Sequence, residues 1–356
     1  MVEIDKSKPV LVTGATGYLA GWLVKKLLEE GCTVHAAVRD PERKDKTQHL
    51  DALAAESKGT LRYFASDLLK EGSYAEAMEG CQLVFHTASP FISAFNDPQK
   101  DLVDPALKGT ANVLNQANNT PSVKRVVLTS SCAAIYNHAD EVEKMPNGEL
   151  NESFWNETSS LKDNPYSYSK TLAEKKAWEL VKAQDRWDLV VINPSFILGP
   201  FLNPTATTSE SFHIMKQMGD GTFKQGSPRI GIGAVDVRDV ALAHFKAGFT
   251  PGANGRNVTS GHNSNFLEMA ALLRAHYGNK FPLPTKAVPK WLIWLLGPML
   301  NKSLTRDFVK HNVNFSMKAN NSKIKTELGM EFRPLSETLV DTFESMIEGG
   351  ILKPKG

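Results

Sequence analysis

The sequence predicts an α/β fold, a doubly wound parallel sheet with a smaller, mostly helical C-terminal lobe. Three observations carry that prediction. Short β-branched apolar runs recur through the first 130 residues, longer amphipathic stretches fill the gaps between them, and beyond about residue 195 the alternation gives way to a Gly-, Pro-, Thr- and Ser-rich segment followed by helices. Strand alternating with helix means parallel strands joined by right-handed crossovers.

Strands are expected at residues 10–13, 33–39, 61–65, 83–87 and 125–130, each compact and apolar enough for a sheet covered on both faces. Helices are expected at 18–30, where Leu19, Leu23, Leu27 and Leu28 share a stripe that stops at Gly31, and again at 102–118 and 171–183. Residues 189–193 read as a further buried strand ahead of Pro194, and 256–259 as a later one. Helical periodicity returns at 266–277, 289–296, 322–328 and 335–348. The organisation expected is therefore a nucleotide-type domain over 1–195, with 230–262 returning to it, and a second lobe from 196–229 and 263–356. The apolar run from Trp291 through Leu296 to Leu300, broken by Gly297 and Pro298, is too short to span a bilayer. A packed helix end is the expectation there, with a surface or membrane-facing patch as the second reading.

The first strand runs into Thr13-Gly14-Ala15-Thr16-Gly17-Tyr18-Leu19-Ala20-Gly21 and then directly into a helix. Gly14 suits the tight turn, Gly17 lets backbone approach a pyrophosphate, and Ala20 or Gly21 permits close helix packing. The helix N-terminus offers free N–H groups to phosphate. In this context the pattern is that of a Rossmann-type dinucleotide site, with Gly14, Thr16, Gly17, Tyr18 and Leu19 around the phosphates. At the end of the second strand an acid would bind both ribose hydroxyls of NAD, whereas a base accommodates the 2′-phosphate of NADP. Arg39 comes first there and Lys44 follows a turn later, favouring NADP(H); Asp40 keeps a ribose contact open. Asp67 and Leu68, past the third strand, are placed to meet adenine, with a simple helix cap as the other reading of Asp67. Thr87, Ala88 and Ser89 end the fourth strand with side chains small enough for backbone to pass close to the cofactor ribose.

Tyr166 and Lys170 stand four residues apart at the start of a helix and so share a face. A phenol is a poor acid at neutral pH unless a neighbouring cation stabilises its phenolate, and Lys170 is that cation. Ser131, at the carboxyl end of the fifth strand, presents a hydroxyl to the crevice where ligands bind in such sheets. Phe91, Phe196, Phe201 and Met215 follow cofactor-contacting segments and are expected to wall an apolar substrate pocket. Each also has an ordinary core reading.

With these residues in view, the chain resembles the extended short-chain dehydrogenase/reductases, and within them the dihydroflavonol reductase, cinnamyl-alcohol dehydrogenase and yeast methylglyoxal reductase group. The similar stretches are 12–21, 38–44, 127–131, 166–174 and 194–200, and the similarity fades beyond about residue 280. The resemblance implies that Tyr166 is the general acid, that Lys170 binds the nicotinamide ribose and lowers the tyrosine pKa, and that Ser131 orients the substrate carbonyl. It also implies that Pro194 and Ile197 meet the nicotinamide end and that Ser209 touches phosphate; Asn112 is read as structural. The implied activity is NADPH-dependent reduction of small neutral aldehydes and ketones to alcohols. Ala20 replaces a glycine common in relatives, and Lys162-Asp163-Asn164-Pro165 stands where cinnamoyl-CoA reductases carry a Trp and Cys signature, which argues against thioester reduction. An NAD-retaining sugar-nucleotide epimerase or dehydratase would use the same Tyr and Lys, and a non-catalytic NADP sensor is the third reading.

Composition sets the remaining expectations. A formal charge of +2 with no basic tract argues against nucleic-acid binding. Nine dispersed histidines without metal-ligand spacing give no metal site. Three scattered cysteines and the lack of an apolar leader segment point to the cytoplasm. The expected state is a monomer or homodimer.

Overall fold

The computed structural model describes residues 2–89, 96–207, 209–300 and 304–355. Strand and helix alternate as β1 (Val10–Thr13), α1 (Tyr18–Glu29), β2 (Thr33–Val38), α2 (Lys44–Ala55), β3 (Thr60–Ala65), α3 (Ala75–Met78), β4 (Leu83–His86), α4 (Asp104–Asn119) and β5 (Arg125–Thr129). The short α5 (Ala139–Val142) precedes α6 (Pro165–Lys182) and β6 (Asp188–Pro194). Then come β7 (Phe196–Leu198), α7 (Glu210–Asp220), β8 (Gly231–Asp236), α8 (Val237–Phe249), β9 (Gly255–Thr259) and β10 (His262–Asn265). Four helices pack in the last quarter before a terminal one: α9 (Phe266–Tyr277), α10 (Lys290–Leu300), α11 (Arg306–Asn312), α12 (Ser322–Leu328) and α13 (Leu335–Glu348).

Seven strands form one parallel sheet in the order β3-β2-β1-β4-β5-β6-β9. The chain builds outward from β1 to β3, returns to β4 beside β1, and then builds the other way, so the crevice at the carboxyl ends of β1 and β4 is the switch point where ligands bind. The strands are apolar throughout because both faces are covered. Leu23, Leu27, Val240 and Ala243 of α1 and α8 pack on one side, and Val113, Leu114 and Ala177 of α4 and α6 on the other.

The second lobe has a small sheet that the sequence did not foretell. Its order is β10-β8-β7, with β7 parallel and β10 antiparallel to β8. Within 230–262, β9 joins the seven-stranded sheet and α8 packs on it, while β8 pairs within the small sheet. Met215, Phe212, Leu273, Leu339 and Phe343 close this lobe's own core. The insertion that begins it is fastened to the nucleotide half. The Tyr18 hydroxyl donates to the Gly199 carbonyl at 2.7 Å, the Trp22 indole to Pro200 at 2.9 Å, and Lys46 to Ala206 at 2.6 Å.

The helix α10 departs from the packed end expected of it. Ile293 is anchored against Val309 and Val313 and Gly297 is buried beside it, while Trp291 is 68 % and Met299 83 % exposed, with Trp294, Leu295 and Leu296 also open to solvent. Composition announced an apolar segment, but which of its faces would be covered depends on neighbours remote in sequence. Among the described residues no helix is long and apolar enough to cross a membrane.

Candidate active site

The loop from β1 to α1 is shaped by backbone. Gly14 has φ +65, and a β-carbon there would stand 3.1 Å from Cα and Cβ of Ala88, so only glycine lets the β1 and β4 ends close together. Gly17 caps α1 without a side chain, and the helix carries no acidic residue in its first turn. Its N–H groups and positive dipole end are thereby left for an anion. The Thr13 hydroxyl takes the Ala88 N–H at 3.0 Å and lies 3.0 Å from Nδ1 of His86. Burial, and secondarily the charge of Lys170, pushes His86 down to about 3, so this ring is neutral and serves as a strut between the two strand ends.

On the other wall Asn164, in left-handed conformation, caps α6 by accepting the Ser167 N–H, and Pro165 opens the helix. Tyr166 is thereby set at the mouth of the crevice, 40 % exposed, with Lys170 one turn below it. The Lys170 ammonium donates to Ser89 at 3.0 Å and lies 5.9 Å from the centre of the Tyr166 ring. Burial pulls Lys170 down to about 8 against the opposing charge of Glu174. Crowding around the Tyr166 hydroxyl raises its pKa; a hydrogen bond with Ser131 works against that rise and the charge of Glu210 adds to it. The lowered tyrosine pKa expected from Lys170 is thus not what this geometry gives, because the ammonium is turned toward Ser89 and is itself weakened. The phenol holds its proton at neutral pH. That is the state a proton donor requires.

Beneath this pair lies a buried polar network. Glu174, 1 % exposed, forms an ion pair with Nε of Arg256 at 2.6 Å, and its Oε2 accepts the Ser130 hydroxyl at 2.5 Å and Nδ2 of Asn193 at 2.8 Å. Asn193 also donates to the Ser131 carbonyl at 3.2 Å. Arg256 stacks on Trp155 at 3.9 Å and donates to the carbonyls of Glu152 and Phe154. One carboxylate therefore holds the end of β5, the end of β6 and α6 in register. Lys170, Glu174, Ser89, His86 and Leu68 line one small cavity.

Comparison with known proteins shows which family the chain belongs to. Residues 10–256 match the model of the NAD dependent epimerase/dehydratase family. The chain belongs to that family. A cinnamoyl-CoA reductase of Medicago truncatula is 39 % identical over 345 residues, covering 95 % of each chain, and a tetraketide alpha-pyrone reductase of Arabidopsis thaliana is 37 % identical over 354 residues, covering 98 % of each. Among solved structures, yeast methylglyoxal/isovaleraldehyde reductase complexed with NADPH superposes with a TM-score of 0.76 at 26 % identity, covering 97 % of this chain and 100 % of that one. This epimerase/dehydratase family member is an NAD(P)-dependent reductase of the extended short-chain type.

Within this reductase the residues singled out from sequence fall into distinct groups. Gly14, Thr16, Gly17, Thr87, Ala88 and Ser89 stand around the switch point. Arg39 and Lys44 are exposed beyond β2, Lys44 lying 3.7 Å from Asp51. Asp67 accepts the Leu69 N–H at 2.8 Å, so its side chain caps a turn, which Asn112 fixes by donating to the Leu68 and Lys70 carbonyls. Pro194 ends β6 and Ile197 sits in β7. Three of these side chains are engaged within the protein. Leu19 is in the core, Tyr18 spends its hydroxyl on Gly199 and its ring on Phe201, and Ser209 caps α7 by accepting the Phe212 N–H. Of the expected pocket wall, Met215 is wholly buried and Phe201 nearly so, packed between Tyr18 and Phe212, so neither offers surface to a substrate. Phe196 is half-buried, edge-on to Phe266. Phe91 lies outside the described residues.

Sequence reasoning missed His86, Glu174 and Arg256. Glu174 had a signal, since it follows Lys170 at the same four-residue spacing that links Lys170 to Tyr166. Among the described residues one grouping has metal-ligand chemistry, His138, Asp163 and Asp307. Asn312 accepts the Ala139 N–H and donates to Nδ1 of His138 at 2.9 Å, which puts the ring proton on Nε2, facing Asp163 at 3.0 Å. This neutral tautomer is satisfied as a hydrogen-bond donor rather than as a ligand.

Proposed function

We propose that the protein reduces small uncharged aldehydes and ketones to alcohols with NADPH, Tyr166 supplying the proton. The observation that carries this reading is the Tyr166, Ser131 and Lys170 arrangement at the switch point, with the phenol protonated at neutral pH. When bound, the dinucleotide supplies a hydride to the carbonyl carbon. The β-carbon-free turn at Gly14 and the uncapped start of α1 fit its pyrophosphate. Ser131 and Tyr166 hold the carbonyl oxygen, and the Tyr166 O–H bond breaks as that oxygen takes the proton. The phenolate left behind regains a proton from solvent, and the Lys170 ammonium, turned toward Ser89, would hold the nicotinamide ribose. Arg39, exposed at the end of β2, supports the choice of NADPH through a charge-assisted bond to the 2′-phosphate, and the yeast neighbour is itself an NADPH complex. Three buried free thiols fit the cytoplasm.

Loss of NADPH absorbance with a panel of aryl and branched alkyl aldehydes and ketones tests the reading, with cinnamoyl-CoA and a nucleotide sugar in the same panel. Turnover of neutral carbonyls is expected. Turnover confined to the thioester would move the assignment toward the Medicago relative, and activity confined to the nucleotide sugar toward epimerase or dehydratase chemistry.

A further inference from the structure

The exposed face of α10 takes no part in the site described above. Trp291, Trp294, Leu295 and Met299 have the i, i+3, i+4, i+8 spacing of one helical stripe, and Leu296 lies beside it. The opposite side of the helix is pinned to α11 through Ile293, Val309 and Val313, so the stripe is held outward by the fold. A contiguous surface of two tryptophans, two leucines and a methionine is the kind that a partner or a lipid surface covers.

Charge decides between the two. Residues 269–306 contain no aspartate or glutamate, and they carry Arg274, Lys280, Lys286, Lys290, Lys302 and Arg306. The Arg306 guanidinium lies 4.7 Å above the Trp294 ring, which places a cation on the apolar face itself. Lys290 opens the helix, where an acid would suit the helix dipole better, and there is no acidic residue in the first turn. The acids beside α11 are turned to its own histidine, Asp307 at 3.8 Å and Asp140 at 3.0 Å from the His311 ring. Pairing two copies about a two-fold axis would bring a cation-bearing patch against itself, at an electrostatic cost. An anionic bilayer meets every element at once. Indoles settle at headgroup level, leucine and methionine enter the acyl boundary, and Lys and Arg meet the lipid phosphates and carboxylates. The 11-residue helix is about 16 Å long at 1.5 Å per residue, roughly half the hydrocarbon thickness, and so it lies in the plane of the surface.

We propose that α10 seats this protein on an anionic lipid surface, with the Trp291, Trp294, Leu295 and Met299 stripe facing the bilayer. The inference does not depend on the reading of the active site.

The test is co-sedimentation of the full chain with phosphatidylcholine vesicles with and without phosphatidylserine, together with tryptophan emission and analytical ultracentrifugation. The expected result is binding to the phosphatidylserine vesicles with a blue-shifted emission, weakened by salt. Because the Trp291 and Met299 side chains project into solvent, the Trp291→Ser, Met299→Ser double variant should keep its thermal unfolding midpoint while vesicle affinity falls by about tenfold or more. Lys286→Gln should weaken binding about fivefold on phosphatidylserine vesicles alone. Failure of the folded wild type to bind, or equal binding to both vesicle types, overturns the proposal. So does a dimer in solution that the Trp291→Ser, Met299→Ser variant abolishes, which would make a second copy the occupant of the face.

Discussion

Replacing Glu174 by Gln keeps the side chain's shape and removes its charge, with one effect on stability and another on the pH profile. Arg256 is left buried without its counter-charge, and Nδ2 of Asn193 loses a carboxylate acceptor. Breaking a buried pair on one side costs about 3–5 kcal/mol, so the thermal midpoint should drop. The second effect falls on Lys170, four residues earlier on the same helix face. Charges about 6 Å apart at an effective dielectric of about 20 interact by about 2.8 kcal/mol, which is about two pKa units as an upper value. Glu174 is the group that holds the Lys170 pKa up, and burial already takes it to about 8. Without that charge the ammonium is favoured less, so its pKa falls further. Lysine is charged below its pKa and neutral above it, and a function that needs the ammonium is lost as pH rises through that value. In the wild type, kcat/KM for NADPH should therefore decline through about pH 8, and in Glu174→Gln the decline should begin one to about two units lower. Glu174→Asp, which keeps the charge, should hold the limb near its wild-type position. Initial-rate pH profiles with varied NADPH, alongside thermal unfolding, read both effects. A folded Glu174→Gln protein whose alkaline limb stays near pH 8 would refute the electrostatic link between Glu174 and Lys170.

Three other perturbations separate the remaining roles. Tyr166→Phe should bind cofactor normally and lose about 10² to 10⁴ in turnover, as measured by single-turnover reduction beside a cofactor titration; near-normal turnover would remove Tyr166 as the acid. Arg39→Ala should raise the Kd for NADPH by about 10- to 150-fold, the equivalent of a charge-assisted bond of about 1.5–3 kcal/mol, and leave NADH little changed. Equal losses for both cofactors would restrict Arg39 to supporting the loop or stacking on adenine. Gly14→Ala sets a β-carbon 3.1 Å from Ala88 in a left-handed backbone, so about 1–2 kcal/mol of stability should go along with dinucleotide affinity. Unchanged melting and unchanged affinity would contradict the crowding at that turn.

The seven strands of the large sheet were legible to within a residue or two because each is a short apolar run between turns and amphipathic helices. The small sheet was not. Phe196–Leu198 is three residues long, Gly231–Asp236 carries two glycines, and His262–Asn265 is entirely polar, so none shows an alternation of its own. Their pairing comes from segments brought together by the rest of the fold. In the site, Tyr166 and Lys170 could be placed by helical spacing and Ser131 by the end of its strand. Arg256 could not, since it reaches Glu174 across 82 residues of sequence. Phe201 and Met215 mark another limit, because an apolar side chain near a binding loop reads the same whether it lines a pocket or fills the core behind it. The stripe on α10 shows the converse, an apolar run whose periodicity was visible and whose lack of cover was not.

The bonds from Tyr18 and Trp22 to the carbonyls of Gly199 and Pro200 make the phosphate-loop helix and the threshold of the second lobe one mechanical unit. A ligand that stiffens the first turn of α1 also stiffens residues 199–200, and through them any second ligand held by that segment. Thermodynamic linkage then requires the effect to be mutual, each ligand changing the other's affinity by the same factor.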